Sequence, residues 1–184
     1  AAVYFLRPPP PAVAAPGRAH GDILHEAGRS VGRVQTFDIS GNTTKAGIAF
    51  TVEQGVMATL CEGIPVGATL VVNIATRPLP ARMSTSDESI GVCKLAMEGQ
   101  GRCPPPLDNA EPRPGERVFT VNVTPEGSIV LKETTVKGVV VEPKASVRFV
   151  EVAAPLPPDA VGGPLFDTNG RVVGVAALSP SDGK

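Results

Sequence analysis

Apolar and polar residues along this chain follow a period of two far more often than a helical one, and the runs are short. Residues 31–37, 46–52, 56–60, 68–74, 79–83 and 90–95 are each either alternating or briefly continuous in apolar side chains. That is the mark of strands with one or both faces buried. Glu53-Gln54-Gly55 supplies a turn between the second and third of these segments,. After a proline-rich stretch at 103–114 the pattern restarts, giving strands at 117–123, 129–141, 147–152, 165–166 and 171–178, with a turn at Pro125-Glu126-Gly127. One segment breaks the period. Asp22 placed as an N-cap and Gly28 near the end predict a short helix over 23–27,. The fold class is therefore all-β, with two consecutive sets of antiparallel strands and a short N-terminal helix. The chain divides into a Pro-rich tail or stalk at 1–21, a first β-barrel with its leading helix at 22–104, and a second at 105–184.

Composition narrows the function classes. With 42% hydrophobic residues the 184-residue chain carries enough apolar surface for real cores,. Twenty glycines and 20 prolines suit many short strands joined by turns. Seventeen basic and 18 acidic residues are scattered, so no electrostatic footprint for nucleic acid exists,. No Trp and a single Tyr leave little platform for stacking bases,. No partner nucleic acid, cofactor or metal is expected, since Cys61, Cys93 and Cys103 lack the spacing of a metal cluster,.

Cys93 and Cys103 are near enough in sequence to close a small disulfide loop in an oxidising compartment,. The alternative is three buried thiols serving as small hydrophobes. At the N-terminus six apolar residues precede Arg7 and the run Pro8-Pro9-Pro10-Pro11. Six residues cannot span a bilayer. They read either as the end of a membrane anchor leading into a polyproline stalk, or as an appended tail. Two Asn-X-Thr triplets, at Asn42 and Asn122, match the glycosylation pattern but arise readily by chance in a Thr-rich chain,.

The stretch Gly162-Gly163-Pro164-Leu165-Phe166-Asp167-Thr168-Asn169-Gly170 carries the most information. Paired glycines mark a sharp bend or close backbone approach, and Asp167-Thr168-Asn169-Gly170 suits a tight hairpin. This stretch resembles the segment that follows the nucleophile in trypsin-like serine proteases, closest to the bacterial HtrA-like branch. The resemblance implies two small antiparallel barrels with a cleft between them. It also implies a further strand after residues 179–184, which would complete the second barrel.

Serine-protease chemistry needs a nucleophile, an imidazole and a carboxylate that holds the imidazole. Laid on the family's frame, Val161 falls on the nucleophile, Cys61 on the histidine and Ser89 on the aspartate. A one-residue slip would put Leu60 or Glu62 at the histidine position. The chain has two histidines, His20 and His25, both in or before the leading helix. The resemblance places the oxyanion-binding amides at Val161 and Asp159, where a carboxylate would repel a developing oxyanion. The expectation is a domain without catalytic residues, a trypsin-like pseudoprotease. Its cleft, built from Asp159, Ala160, Val161, Ala176, Ala177 and Leu178, would hold a peptide or protein by β-augmentation. By analogy it belongs in the bacterial envelope, periplasmic or otherwise extracytoplasmic, tethered through a preceding N-terminal segment. The competing expectations are a hydrolase with displaced residues, using Cys61 or one of Ser84, Ser86 and Ser89, and a purely structural domain.

Overall fold

The computed structural model describes residues 20–65, 67–87, 89–98, 104–108, 110–142 and 147–178. Residues 1–19 of the tail, Cys103 and residues 179–184 lie outside them.

Helix α1 spans His20–Ser30, three residues longer at each end than the sequence pattern predicts. Asp22 lies in its first turn and does not cap it, and the helix continues through Gly28 to Ser30. The buried residues Ile23, Ala27 and Ser30 recur at helical spacing and face one core,. Burying an Ile side chain is worth about 1.5–3 kcal/mol, which outweighs the roughly 1 kcal/mol that an interior glycine costs. Tertiary packing thus carries the helix past its apparent stop.

Eleven strands follow among the described residues. The first lobe holds β1 (Val31–Phe37), β2 (Thr43–Glu53), β3 (Val56–Leu60), β4 (Thr69–Ile74), β5 (Arg77–Asp87) and β6 (Val92–Met97), closed into a barrel in the order β1-β2-β3-β6-β5-β4. Val34, Ala49, Met57, Leu70, Val72, Ala81 and Leu95 fill it. β5 is twice the predicted length despite Pro78 and Pro80. The reason lies in its partners: β4 covers residues 77–81, while β6 begins to pair only at Ala81. The two prolines share one parity on a half-strand with a free side, so their missing N–H groups need remove no ladder bond.

The second lobe holds β7 (Arg117–Val123), β8 (Ile129–Glu142), β9 (Val147–Val152), β10 (Pro164–Asp167) and β11 (Val172–Val175) in an open sheet of order β11-β10-β7-β8-β9. It is a half-barrel wound like the first lobe. Its first three strands pair in series, its fourth returns to pair with the first, and its fifth pairs with the fourth. The gap falls between β9 and β11, where the first lobe places its sixth strand. Val150 and Val152 on one side of that gap and Val173 on the other pack only partly covered against Val118, Val136 and Leu165.

The lobes share a core. Ile23 and Ala27 of α1, Ile48, Phe50 and Ala58 of the first lobe, and Phe119, Val121, Val123 and Phe166 of the second form one buried cluster. The expected fold is thus present: a six-stranded barrel and a half-barrel on a common apolar seam, led by one helix.

Candidate functional site

The chain segments that matter meet at this seam. β3 delivers Cys61, whose amide donates to Gly91 O at 2.8 Å and so holds the end of β3 against the turn before β6. Within the β3–β6 ladder, Thr59 stands opposite Cys93. Cys61, two residues on and on the same face, is therefore the diagonal neighbour of Cys93. The two form a disulfide. This corrects the expected Cys93–Cys103 loop: strand register, not closeness in sequence, selects the partner. Cys93 is wholly buried, with Met83 Sδ 3.8 Å from its sulfur.

Ser89 sits in the exposed turn beside this bond. Its hydroxyl and its amide both donate to the Asp87 carboxylate. The hydroxyl's bond, then the amide's, hold the Asp87 carboxyl below its usual range. Ser89 caps a turn and is hydrogen-bonded to neither of the other two frame positions.

Val161 follows a single 3₁₀ turn, Pro158–Ala160, and is only 9% exposed. Its carbonyl accepts from the Ile48 amide of β2 at 2.8 Å. Gly162 has φ +89° and donates to Ala176 O at 2.8 Å, while Gly163 O accepts from Ala176 N at 2.7 Å. A side chain at Gly162 would run into Ile48 O and Thr59 Oγ1 and lie 3.3 Å from the Leu60 amide nitrogen. The paired glycines are thus required by backbone wedged between both lobes. The same contacts bring the nucleophile position beside the end of β3, one residue short of Cys61.

The remaining cleft residues divide into two groups. Asp159 turns its carboxylate toward Arg33 of β1 (3.6 Å) and Asn122 of β7 (3.5 Å), and Ala160 is buried. β11 ends at Val175, short of the predicted 178, and both backbone groups of Ala176 are taken by Gly162 and Gly163. Ala177 and Leu178 are exposed.

Neither imidazole approaches the seam's frame positions. His20 lies edge-on against Phe119, with ring centroids 5.9 Å apart, and His25 is exposed on α1. Lys45 was not foreseen. It is half-buried beside Gly63, in the loop that follows Cys61, with its side-chain carbon 3.1 Å from where a Gly63 Cβ would stand. Burial pushes its ammonium group down, and nearby Glu62 offsets part of that. Nothing in the sequence marks it, because its partner loop is set by the β2–β3 register, which continued past the paired residues puts position 45 opposite position 63. Among the described residues no group of three or more His, Cys, Asp or Glu is placed to hold a metal ion. No described helix is long and apolar enough to cross a membrane.

A half-barrel and a barrel meeting at a Gly-Gly-Pro-Leu loop define the trypsin-like peptidase class. The family model of the trypsin-like peptidase domain matches residues 35–175, and the chain belongs to that family. No curated protein matches. Among solved structures, a serine-to-alanine mutant of Rv3671c from M. tuberculosis H37Rv in its inactive form is similar with a TM-score of 0.76 and 18% identity, over 98% of this chain and 87% of that one. A second structure of the Rv3671c protease, also inactive, gives a TM-score of 0.72 at 18% identity, over 87% and 83% of the two chains. Deg5 gives 0.74 at 17% identity, over 86% and 84%. At these identities the likeness is one of fold.

Proposed function

We propose that this chain is a trypsin-like domain that does not cleave peptide bonds and instead holds an extended peptide or protein segment at the junction of its lobes. The observation that carries the reading is the Cys61–Cys93 disulfide: the sulfur at the histidine position is bonded to another sulfur and can neither attack nor accept a proton,. Val161 has no nucleophilic atom, and Ser89 spends its hydroxyl on Asp87. Other candidates for displaced chemistry fare no better, since Ser84 Oγ donates to Lys94 O and no imidazole stands nearby,. Ala177 and Leu178 leave extended backbone open for main-chain pairing,. An extracytoplasmic place in the bacterial envelope is supported by the family branch and by a disulfide, which persists where thiols are not kept reduced. A membrane tether would come from the apolar N-terminal residues.

Casein and quenched fluorogenic peptides, combined with serine- and thiol-directed probes, test the first half of this reading. We expect no turnover above blank and no covalent labelling of the oxidised protein. Turnover that disappears in Cys61→Ala or Ser89→Ala would overturn it in favour of a hydrolase. The second half is tested on a random peptide array, where captured peptides should be lost on Ala177→Arg. An empty array would leave a structural domain as the better description.

A further inference from the structure

Asp159 stands two residues before the nucleophile position, where a protease has no use for a carboxylate. Its partner lies across the lobe seam. The Arg33 side chain is only 13% exposed, against 42% for Asp159, and its Nη1 donates to Val123 O at 3.0 Å while lying 3.6 Å from Asp159 Oδ2. Asn122 Nδ2 reaches the other carboxylate oxygen. Two residues further, Val161 O accepts from the Ile48 amide. Arg33 and Ile48 are directly opposed partners in the β1–β2 ladder. The turn at Pro158–Ala160 is therefore fastened at both ends to one cross-strand pair of the first barrel: by charge through Asp159 and by a backbone bond through Val161.

We infer that the Arg33–Asp159 ion pair is an interlobe latch, in which Asp159 acts as a positioning residue that seats residues 158–163 on the first barrel. Arg33 is largely shielded from solvent, which strengthens its attraction for the half-exposed Asp159 carboxylate over that of a fully solvated pair,. It also spans two elements that are otherwise joined here by a single backbone hydrogen bond and apolar contact. The substitution that unsuits the loop for stabilising an oxyanion supplies the charge that locks it. The consequence for peptide capture rests on the reading under Proposed function, whereas the latch itself does not.

Hydrogen–deuterium exchange of the full chain tests it without any peptide. Asp159→Asn keeps the size and removes the charge, Asp159→Glu keeps the charge, and Asp159→Gly is a second charge-free variant at this partly exposed position. In Asp159→Asn and Asp159→Gly the amides of residues 160–163 should exchange about fivefold faster, reflecting easier local opening. Asp159→Glu should stay near wild type, and the amides of β5 and β6 should not change in any variant. Exchange within twofold of wild type in both charge-free variants would overturn the latch. So would Asp159→Glu loosening the loop as much as Asp159→Asn, which would make the contact one of shape. An empty peptide array with these shifts present would remove the binding function and leave the latch standing.

Discussion

Gly162→Ala is expected to be among the most damaging single-methyl substitutions at the lobe junction, lowering stability by about 3–4 kcal/mol. Two costs add. The backbone there sits at φ +89°, a region that an L side chain occupies at a cost of roughly 1–2 kcal/mol,. The new Cβ would also press on Ile48 O and Thr59 Oγ1, and neither can retreat easily. Thr59 Oγ1 donates to that same Ile48 carbonyl at 2.7 Å, and Ile48 N is bonded to Val161 O. Overpacking of this kind costs about 1–3 kcal/mol. For a domain of this size the sum corresponds to a fall in Tm of about 6–16 °C. Gly91→Ala supplies the control, since φ is again positive at +67° but nothing stands within 4 Å of the added carbon. There the loss should be about 1 kcal/mol. If calorimetry finds the two variants equal, the wedge between the lobes is not what makes Gly162 necessary.

The same wedge shows how far the sequence could be read. Several short strands came through with their limits intact: 31–37, 56–60, 117–123 and 147–152 are the observed β1, β3, β7 and β9. In these segments the local pattern and the tertiary environment make the same demand. The paired glycines signalled close backbone approach, and the structure supplies both lobes as the neighbours. What stayed hidden depends on register and closure. Pro78 and Pro80 argue against a strand unless it is known that one side of that half is unpaired. The Cys61–Cys93 bond follows from Thr59 facing Cys93, which no spacing along the chain reveals. Ala176 reads as open strand edge, yet its amide and carbonyl are both taken by the glycine loop. Lys45 meets Gly63 because the β2–β3 register, continued to the end of the hairpin, sets them opposite.

On the function proposed above, these cases also explain how the frame of a peptidase could outlast its chemistry. The contacts that hold the nucleophile loop in place are backbone bonds and glycine geometry, and none of them uses a catalytic side chain. Ile48 N to Val161 O and Gly162 N to Ala176 O would be the same with serine at 161. Catalytic residues can therefore be exchanged without unseating the fold, provided the replacements satisfy their own surroundings. Under that proposal Val161 would do so by burial, Asp159 by pairing with Arg33, and Cys61 by bonding to Cys93.

The last of these exchanges has the second large expected effect. Breaking the disulfide by Cys61→Ser should cost about 3–4 kcal/mol, the chain-entropy value for a bond joining residues 32 apart,. Cys61 is the better site for the test because it is only half-buried, so a serine hydroxyl can find water there. The Cys93 thiol left behind is wholly enclosed and behaves as a small hydrophobe,. Cys93→Ser would add the penalty of a buried hydroxyl and confuse the reading. With a urea m-value of about 2 kcal/mol/M the unfolding midpoint should fall by roughly 1.5–2 M. Reducing the wild-type protein with a dithiol should bring it down to the same midpoint, and the reductant should leave Cys61→Ser where it was. Cys103→Ser separates this pairing from the one that sequence spacing favours. It should unfold with the wild-type midpoint and keep its response to the reductant. A midpoint that drops in Cys103→Ser, with none in Cys61→Ser, would mean that Cys93 bonds to Cys103 and that Cys61 is a free thiol.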